Sequence, residues 1–227
     1  MIPEGTENKV IVIDDVFKSG ELDLIKHIIK NTPNLLWKYE DENPLYTKHR
    51  VKITPINSLL SGKPFQQIED SVQNALFSPS RMKYMKTIND FSYKLIDNTD
   101  THKIYLTSHI SNKPCGWHKD DSTHDPNVIQ TLNYIFHVDA GGEFSGGELD
   151  VSYDEIDQSN ITWTPKKEPT IHQTIEYKDN RLVVIPAWMW HRVRTTKTNG
   201  GVEPLDGRIT INGHIGFLRG NSSKVQY

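Results

Sequence analysis

At 227 residues, with 35% hydrophobic and 24% charged side chains, the chain has the make-up of an ordinary globular domain, neither disordered nor membrane-embedded. Its net charge of −3, with the basic residues scattered, gives no electrostatic case for a nucleic-acid partner. No apolar stretch approaches bilayer-spanning length, the segment Met1-Ile2-Pro3-Glu4-Gly5 lacks the basic and apolar regions of a signal peptide, and the single cysteine, Cys115, excludes an intramolecular disulfide. These features fit a cytoplasmic protein with no membrane partner, and Cys115 reads as a structural residue.

Taken in order, Val10 to Ile13 reads as a short strand, with Ser19 as cap of the helix that follows. In that helix Leu24, Ile25, Ile28 and Ile29 fall on one face. Trp37 to Pro64 carries no regular pattern. A second helix is expected from Phe65 to Leu76, with Phe65, Ile68, Val72 and Leu76 at spacings of three and four. A third is expected from Arg81 to Ile96, with Met85, Ile88, Phe91 and Leu95 along one stripe after the start signal Pro79-Ser80. These stripes read as packing surfaces.

From Lys103 the character changes to β-branched and aromatic runs separated by turn clusters. The predicted strands are Lys103–Ile110, Val128–Phe136, Glu148–Ser152, Thr170–Tyr177, Arg181–Ile185, His191–Thr195 and Arg208–Phe217. Early helices and late, closely spaced strands indicate an α+β arrangement in which helices back one sheet of a sandwich or jelly roll. There is no repeat and no linker, so one domain over 1–227 is the economical reading, with helical support mainly in 19–97 and the β core about 103–217. On the last strand Arg208, Thr210, Asn212 and His214 share one face, and Ile209, Ile211 and Ile215 share the other. Alternation alone would leave the polar row in solvent.

The chemistry-bearing pattern is Trp117-His118-Lys119-Asp120, read with Trp190-His191 and Arg208 downstream. On a strand, residues i and i+2 point to one side, so His118 and Asp120 can grip one ion together and His191 can close the face. Two imidazoles and one carboxylate leave open coordination positions, the pattern that suits non-heme Fe(II) oxygenases. A His-x-Asp triplet is weak by itself, since ten histidines give roughly one by chance. A rival triplet, His137-Val138-Asp139, stands at the far end of the Val128–Phe136 run, and strand order favours His118 over it. Trp188 and Trp190 read as packing residues, His172 and His214 as satisfied structural groups, and Asp139 and Asp150 as surface carboxylates.

With these residues in view, the chain resembles the 2-oxoglutarate- and Fe(II)-dependent oxygenases, in particular the prolyl-4-hydroxylase-like branch. The matching pieces are His118-Lys119-Asp120, Thr131-Leu132-Asn133-Tyr134-Ile135 and Phe144-Ser145-Gly146-Gly147-Glu148-Leu149. They continue with Arg181-Leu182-Val183-Val184-Ile185-Pro186, His191-Arg192-Val193 and Arg208-Ile209-Thr210-Ile211, and the opening run from Val10 to Phe17 also looks like that branch. The resemblance implies a double-stranded β-helix with N-terminal helices packed on one sheet. It implies Fe(II) held by His118, Asp120 and His191, and 2-oxoglutarate anchored by Arg208 with Thr210 beside it. A guanidinium suits that anchor because it forks onto a carboxylate. Oxygen is the second cosubstrate and ascorbate the reductant such enzymes use.

The implied reaction couples decarboxylation of 2-oxoglutarate to succinate with hydroxylation of a C–H bond in a peptidyl residue, prolyl by family pattern, or in a free amino-acid-like molecule. The chain departs from the family in the long interval Thr195–Gly207 before Arg208, and in having Ser108-His109 where a cosubstrate-holding Tyr often stands. Tyr134, or by strand parity Asn133, is the candidate substitute. Other readings are the nucleic-acid demethylase branch, which expects an Arg where His214 stands, a redox-silent cupin-like binding module, and a zinc hydrolase. Substrate identity and oligomeric state do not follow from these residues.

Overall fold

The computed structural model describes residues 10–39, 50–53, 62–77, 104–110, 114–120, 128–157, 164–201 and 203–218. The elements are β1 (Ile11–Ile13), α1 (Ser19–Lys30), β2 (Lys38–Tyr39), β3 (Arg50–Ile53), α2 (Gly62–Phe77), β4 (Tyr105–His109), β5 (Cys115–His118) and β6 (Val128–His137). They continue with β7 (Phe144–Gly146), β8 (Leu149–Ser152), β9 (Gln173–Ile175), β10 (Arg181–Pro186), β11 (Trp190–Val193), β12 (Thr196–Thr198) and β13 (Arg208–Leu218). A seven-stranded sheet has the order β1-β10-β6-β13-β4-β3-β2, a four-stranded sheet the order β5-β11-β8-β9, and β12 pairs with β7 alone. Neighbouring strands are antiparallel throughout. Among the described residues no helix is long and apolar enough to cross a membrane.

Period-two alternation divides the large sheet into two faces. Leu106, Leu132, Tyr134, Phe136, Leu182, Val184, Ile209 and Ile211 form one core with Ile25, Ile28 and Ile29 of α1 and Ile68, Val72 and Leu76 of α2. Each fully buried aliphatic side chain there contributes roughly 1.5–3 kcal/mol by leaving water. The next residues along β10, Val183 and Ile185, turn the other way and pack with Leu149, Val151, Ile175, Val193 and Cys115 of the small sheet. The large sheet is therefore backed by helices on one side and by the small sheet on the other.

Several details depart from the sequence reading. Ser19 is the first helical residue and not the cap; Lys18 holds that position, and the Glu21 carboxylate accepts its backbone N–H at 3.1 Å. Leu24 is exposed, because it stands about 100° round the helix from Ile25, on the far side from the partly buried Leu22. The Thr170–Tyr177 and His191–Thr195 runs shorten to β9 and β11. Strands β2, β3, β7 and β12 had no sequence signal, being two to four residues long. Thr195–Gly207 is more than a loop: it holds β12 and a short 3-10 turn, Pro204–Asp206, and Thr196 is fully buried. The expected helix Arg81–Ile96 lies outside the described residues.

The start of the chain is fastened to the large sheet by Asn180, which adopts a left-handed backbone at φ 59°. Its N–H donates to His137 O and its carbonyl accepts from Val16 N–H, both at 3.1 Å. Its side chain accepts from Phe17 N–H at 2.8 Å and donates to Phe17 O at 2.9 Å. Asn tolerates this backbone better than most residues, and its amide satisfies two buried groups at once. Asn180→Ala is expected to lower stability by on the order of 3 kcal/mol or more, from the two orphaned backbone groups plus left-handed strain. Asn180→Gly should recover only the strain. Chemical denaturation of the three proteins checks this, and an Ala variant as stable as the parent would dismiss the clasp.

Candidate metal centre

Antiparallel pairing of β5 with β11 sets His118 directly opposite His191, with ring centroids 4.1 Å apart. Each ring is oriented by its own strand: His118 Nδ1–H donates to Gly116 O at 2.8 Å and His191 Nδ1–H to Met189 O at 3.1 Å. A carbonyl can only accept, so a neutral ring carries its proton on Nδ1 and presents the Nε2 lone pair. The same arrangement of imidazole and carbonyl orients histidines at metal sites generally.

Asp120 completes the group, though not by the strand parity expected for it. The strand β5 ends at His118, and Asp120 lies two residues beyond, held by its N–H to Ala187 O at 2.9 Å. Its Oδ2 is 3.2 Å from His191 Nε2 and its Oδ1 is 4.0 Å from His118 Nε2, and one donor atom from each residue lies within 4.8 Å of the others. Ligands roughly 2 Å from a common ion and at right angles to one another stand about 3 Å apart, so this set fits a divalent ion with little adjustment. Burial opposes charge on Asp120, but the hydrogen bond and the positive charge that His191, His118 and His214 offer in their protonated form outweigh it, holding the carboxyl well below its ordinary range; a metal ion would take the place of those protons. A deprotonated carboxylate is the form that coordinates a metal.

The second oxygen of Asp120 is also fixed from the large sheet. Asn133 Nδ2 donates to Asp120 Oδ2 at 2.7 Å, and Asn133 Oδ1 is 2.6 Å from His214 Nδ1. Asn133 and His214 are register partners on β6 and β13. Asn133, a candidate for holding the cosubstrate, is thus in contact with the Asp120 carboxylate, and His214, read as a satisfied structural group, has Asn133 as its partner. Knowing that β6 and β13 are neighbours would have paired the two.

Tyr134 is not brought to the group. One residue along β6 from Asn133, it faces the helix side, fully buried, with its ring edge-on to Phe136 at 5.9 Å. Burial pushes its hydroxyl well above the usual tyrosine range. The rival triplet does not gather ligands either. His137 is fully buried at the end of β6, while Asp139 Oδ1 accepts the Gly141 N–H at 2.7 Å in a turn. Among the described residues, the only such cluster of potential ligands is His118, Asp120 and His191.

Arg208 opens β13 on the face shared with Thr210, Asn212 and His214, the face turned away from the helices. Arg208 and Thr210 are buried there, at 1% and 2% exposure, contrary to the solvent position that alternation alone gives. Thr210 Oγ1 is 2.7 Å from Thr107 Oγ1 on β4. The guanidinium lies over the Tyr177 ring at 5.3 Å, with Nη2 3.3 Å from His137 Nε2. Gly147 makes room for it: a Cβ there would stand 2.6 Å from Arg208 Cδ, and its φ of +80° is one that only glycine adopts easily. This is a physical reason for the second glycine of Phe144-Ser145-Gly146-Gly147.

Other candidates are structural. Trp190 is fully buried with its Nε1–H on Ile156 O at 3.2 Å. Asp150, read as a surface carboxylate, is fully buried beneath Arg192 and Arg194, at 3.0 and 2.9 Å, and accepts Thr174 Oγ1–H at 2.8 Å. Cys115 is buried in the core between the sheets, on the same side as His118, because the pairing of β5 with β11 shifts register between His191 and Val193.

No family model matches the sequence, and no curated protein does. Solved structures do match the fold. A prolyl hydroxylase from Trichoplax adhaerens, in complex with a hypoxia inducible factor oxygen degradation domain peptide fragment, superposes with a TM-score of 0.61 at 11% identity, over 97% of this chain and 89% of its own. A prolyl-4-hydroxylase from Pseudomonas putida gives 0.60 at 9% identity, over 95% and 96%. A 2OG-Fe(II) oxygenase family oxidoreductase from Burkholderia pseudomallei gives 0.58 at 14%, over 92% and 87%. Across nearly its whole length, this chain has the fold of the 2-oxoglutarate–Fe(II) oxygenases, prolyl hydroxylases among them.

Proposed function

We propose that this protein is a 2-oxoglutarate- and Fe(II)-dependent dioxygenase of the prolyl-4-hydroxylase-like kind, a single domain built on a double-stranded β-helix. Its substrate is a peptidyl residue, prolyl in the first instance, or a free amino-acid-like molecule. The observation that carries this reading is the convergence of His118, Asp120 and His191 within 4.8 Å on the fold of these oxygenases. His118 and His191 supply Nε2 lone pairs and Asp120 a carboxylate oxygen, a set that suits Fe(II) and leaves coordination positions for a cosubstrate and O2. Iron and 2-oxoglutarate, when bound, supply the oxidising chemistry that hydroxylates a C–H bond.

The residues of the chain bind and orient. Asn133 holds one Asp120 oxygen, leaving the other toward His118, and His214 fixes the amide of Asn133. Arg208, buried on the inward face of β13, is the anchor for the distal carboxylate of 2-oxoglutarate, with Thr210 beside it. Its planar fork suits that carboxylate better than a lysine would.

Replacing either His118 or His191 by Ala is expected to abolish Fe(II) binding and leave the far-UV circular dichroism unchanged. Iron binding that survives both substitutions, or that fails only with His137, would reject the assignment. In the wild type, succinate should form from 2-oxoglutarate with Fe(II), weakly without the true substrate and faster with the right member of a panel of prolyl peptides and free amino acids. Calorimetry that finds no 2-oxoglutarate binding in the presence of Mn(II) would reduce the fold to a binding module. Arg208→Lys should weaken 2-oxoglutarate without loss of metal. Arg208→Ala should weaken it further, by on the order of 3–5 kcal/mol, since the bound carboxylate is left buried without its charged partner.

A further inference from the structure

The Asp120 carboxylate stands against a neighbour that does not welcome it. A neutral His191, with its Nδ1–H on Met189 O, aims the Nε2 lone pair at Asp120 Oδ2, 3.2 Å away. Two acceptors at that range repel each other until they share a cation. Asp120 lies beyond the end of β5, so its backbone is held by Ala187 O but no strand pairing sets its side chain. Rotation about Cβ–Cγ would carry the carboxylate away from the imidazoles. The Asn133 Nδ2–H, 2.7 Å from Oδ2, opposes that rotation.

A side-chain amide can present either end, and here the choice is made from both sides. A carboxylate only accepts, so Nδ2 faces Asp120 and Oδ1 faces away from it. On that far side Oδ1 is 2.6 Å from His214 Nδ1, and since an amide oxygen only accepts, the imidazole proton is on Nδ1. The three groups make one directed chain: His214 Nδ1–H to Asn133 Oδ1, and Asn133 Nδ2–H to Asp120 Oδ2. Reversing the amide would set Oδ1 against the carboxylate, and His214 Nδ1–H stands in the way of that reversal. Asn133 is 3% exposed, so water is a poor substitute for either partner. The His214 ring is itself held, by its register position opposite Asn133 and by the Tyr105 ring, which it meets edge-on at 6.2 Å.

We infer that His214 is a positioning residue for the metal centre: acting through Asn133, it keeps the Asp120 carboxylate turned toward His118 and His191 before any ion arrives. A ligand oriented in advance loses less freedom when the ion binds, so the chain contributes to metal affinity although His214 touches no ligand oxygen. The inference rests on the reading of His118, Asp120 and His191 as metal ligands.

Calorimetry with Mn(II) and NMR of the metal-free protein test it. Asn133→Leu should raise the Kd for Mn(II) roughly tenfold or more. His214→Leu should reproduce most of that loss with an unchanged far-UV circular dichroism spectrum. His214→Asn keeps an N–H near the place of Nδ1 and should recover most of the affinity, which a space-filling role for the ring does not predict. The decisive comparison is the double variant: once Asn133 is Leu, His214→Leu should cost no further affinity. Losses that add, or a His214→Leu protein that binds Mn(II) like the parent, overturn the inference. In nitrogen-15 spectra of the wild type the two Asn133 carboxamide protons should be widely separated, one of them lying on a carboxylate. Diamagnetic Zn(II) should shift them, and His214→Leu should narrow the separation in the metal-free protein. A carboxamide indifferent to His214→Leu also counts against the chain. If Mn(II) binding is lost on His118→Ala but unaffected by Asn133→Leu, the chain is wrong and the metal centre stands. If the wild type binds no Mn(II), the metal reading fails and takes the chain with it.

Discussion

The alternation of side chains on β6 and β13 is the constraint on which the rest of this structure depends. Tyr134, Phe136, Ile209 and Ile211 face the helices, and Asn133, His137, Arg208 and Thr210 face the other way. A slip of one residue in register would drive a guanidinium and an imidazole into the core lined by Ile25, Ile29, Ile68 and Leu76, while exposing that core's partners. Burying an unpartnered charge is prohibitively unfavourable, so the register is determined from both faces at once. The helices thus contribute nothing to the chemistry directly, yet by claiming the apolar face they commit the polar row to the interior.

The candidate metal-ligating group is assembled at the other sheet. His118 and His191 are a cross-strand pair, and their distance follows from pairing alone. What pairing does not set is ring rotation, and here the backbone supplies it: each ring donates to the carbonyl two residues earlier in the chain. Asp120, beyond the end of its strand, needs support from outside. It takes this from Ala187 O through its backbone and from Asn133 through its carboxylate. The Asn133 contact reaches across from the large sheet, so the position of the Asp120 carboxylate is tied to the register of that sheet.

This division explains what could be read from the sequence. The longer strands β6, β10 and β13 and the two faces of β13 are local or periodic features, and they were legible. So was the packing stripe Ile68, Val72 and Leu76. Asp120 was identified correctly as a neighbour of His118 but by an inapplicable argument, since i and i+2 parity requires a strand that has already ended. Strand parity already set Asn133 apart from Tyr134, and the register of β6 with β13 puts Asn133 opposite His214. The burial of Asp150 depends on Arg192 and Arg194, two strands of the small sheet meeting, which no window of sequence contains. The short strands β7 and β12 hold their place through each other and through Gly147 and Thr196 packing beside Arg208, a tertiary contact with no periodic trace.

Because His118 and His191 come from the small sheet and Arg208 and Thr210 from the large one, any molecule that touches both groups necessarily spans the two sheets. Its length is therefore measured by the spacing of the sheets, a quantity set by packing cores far larger than the site. Rigid cores of this kind resist small adjustments, since side chains at crystal-like density have little room to yield. The separation of the two groups is then a property of the scaffold.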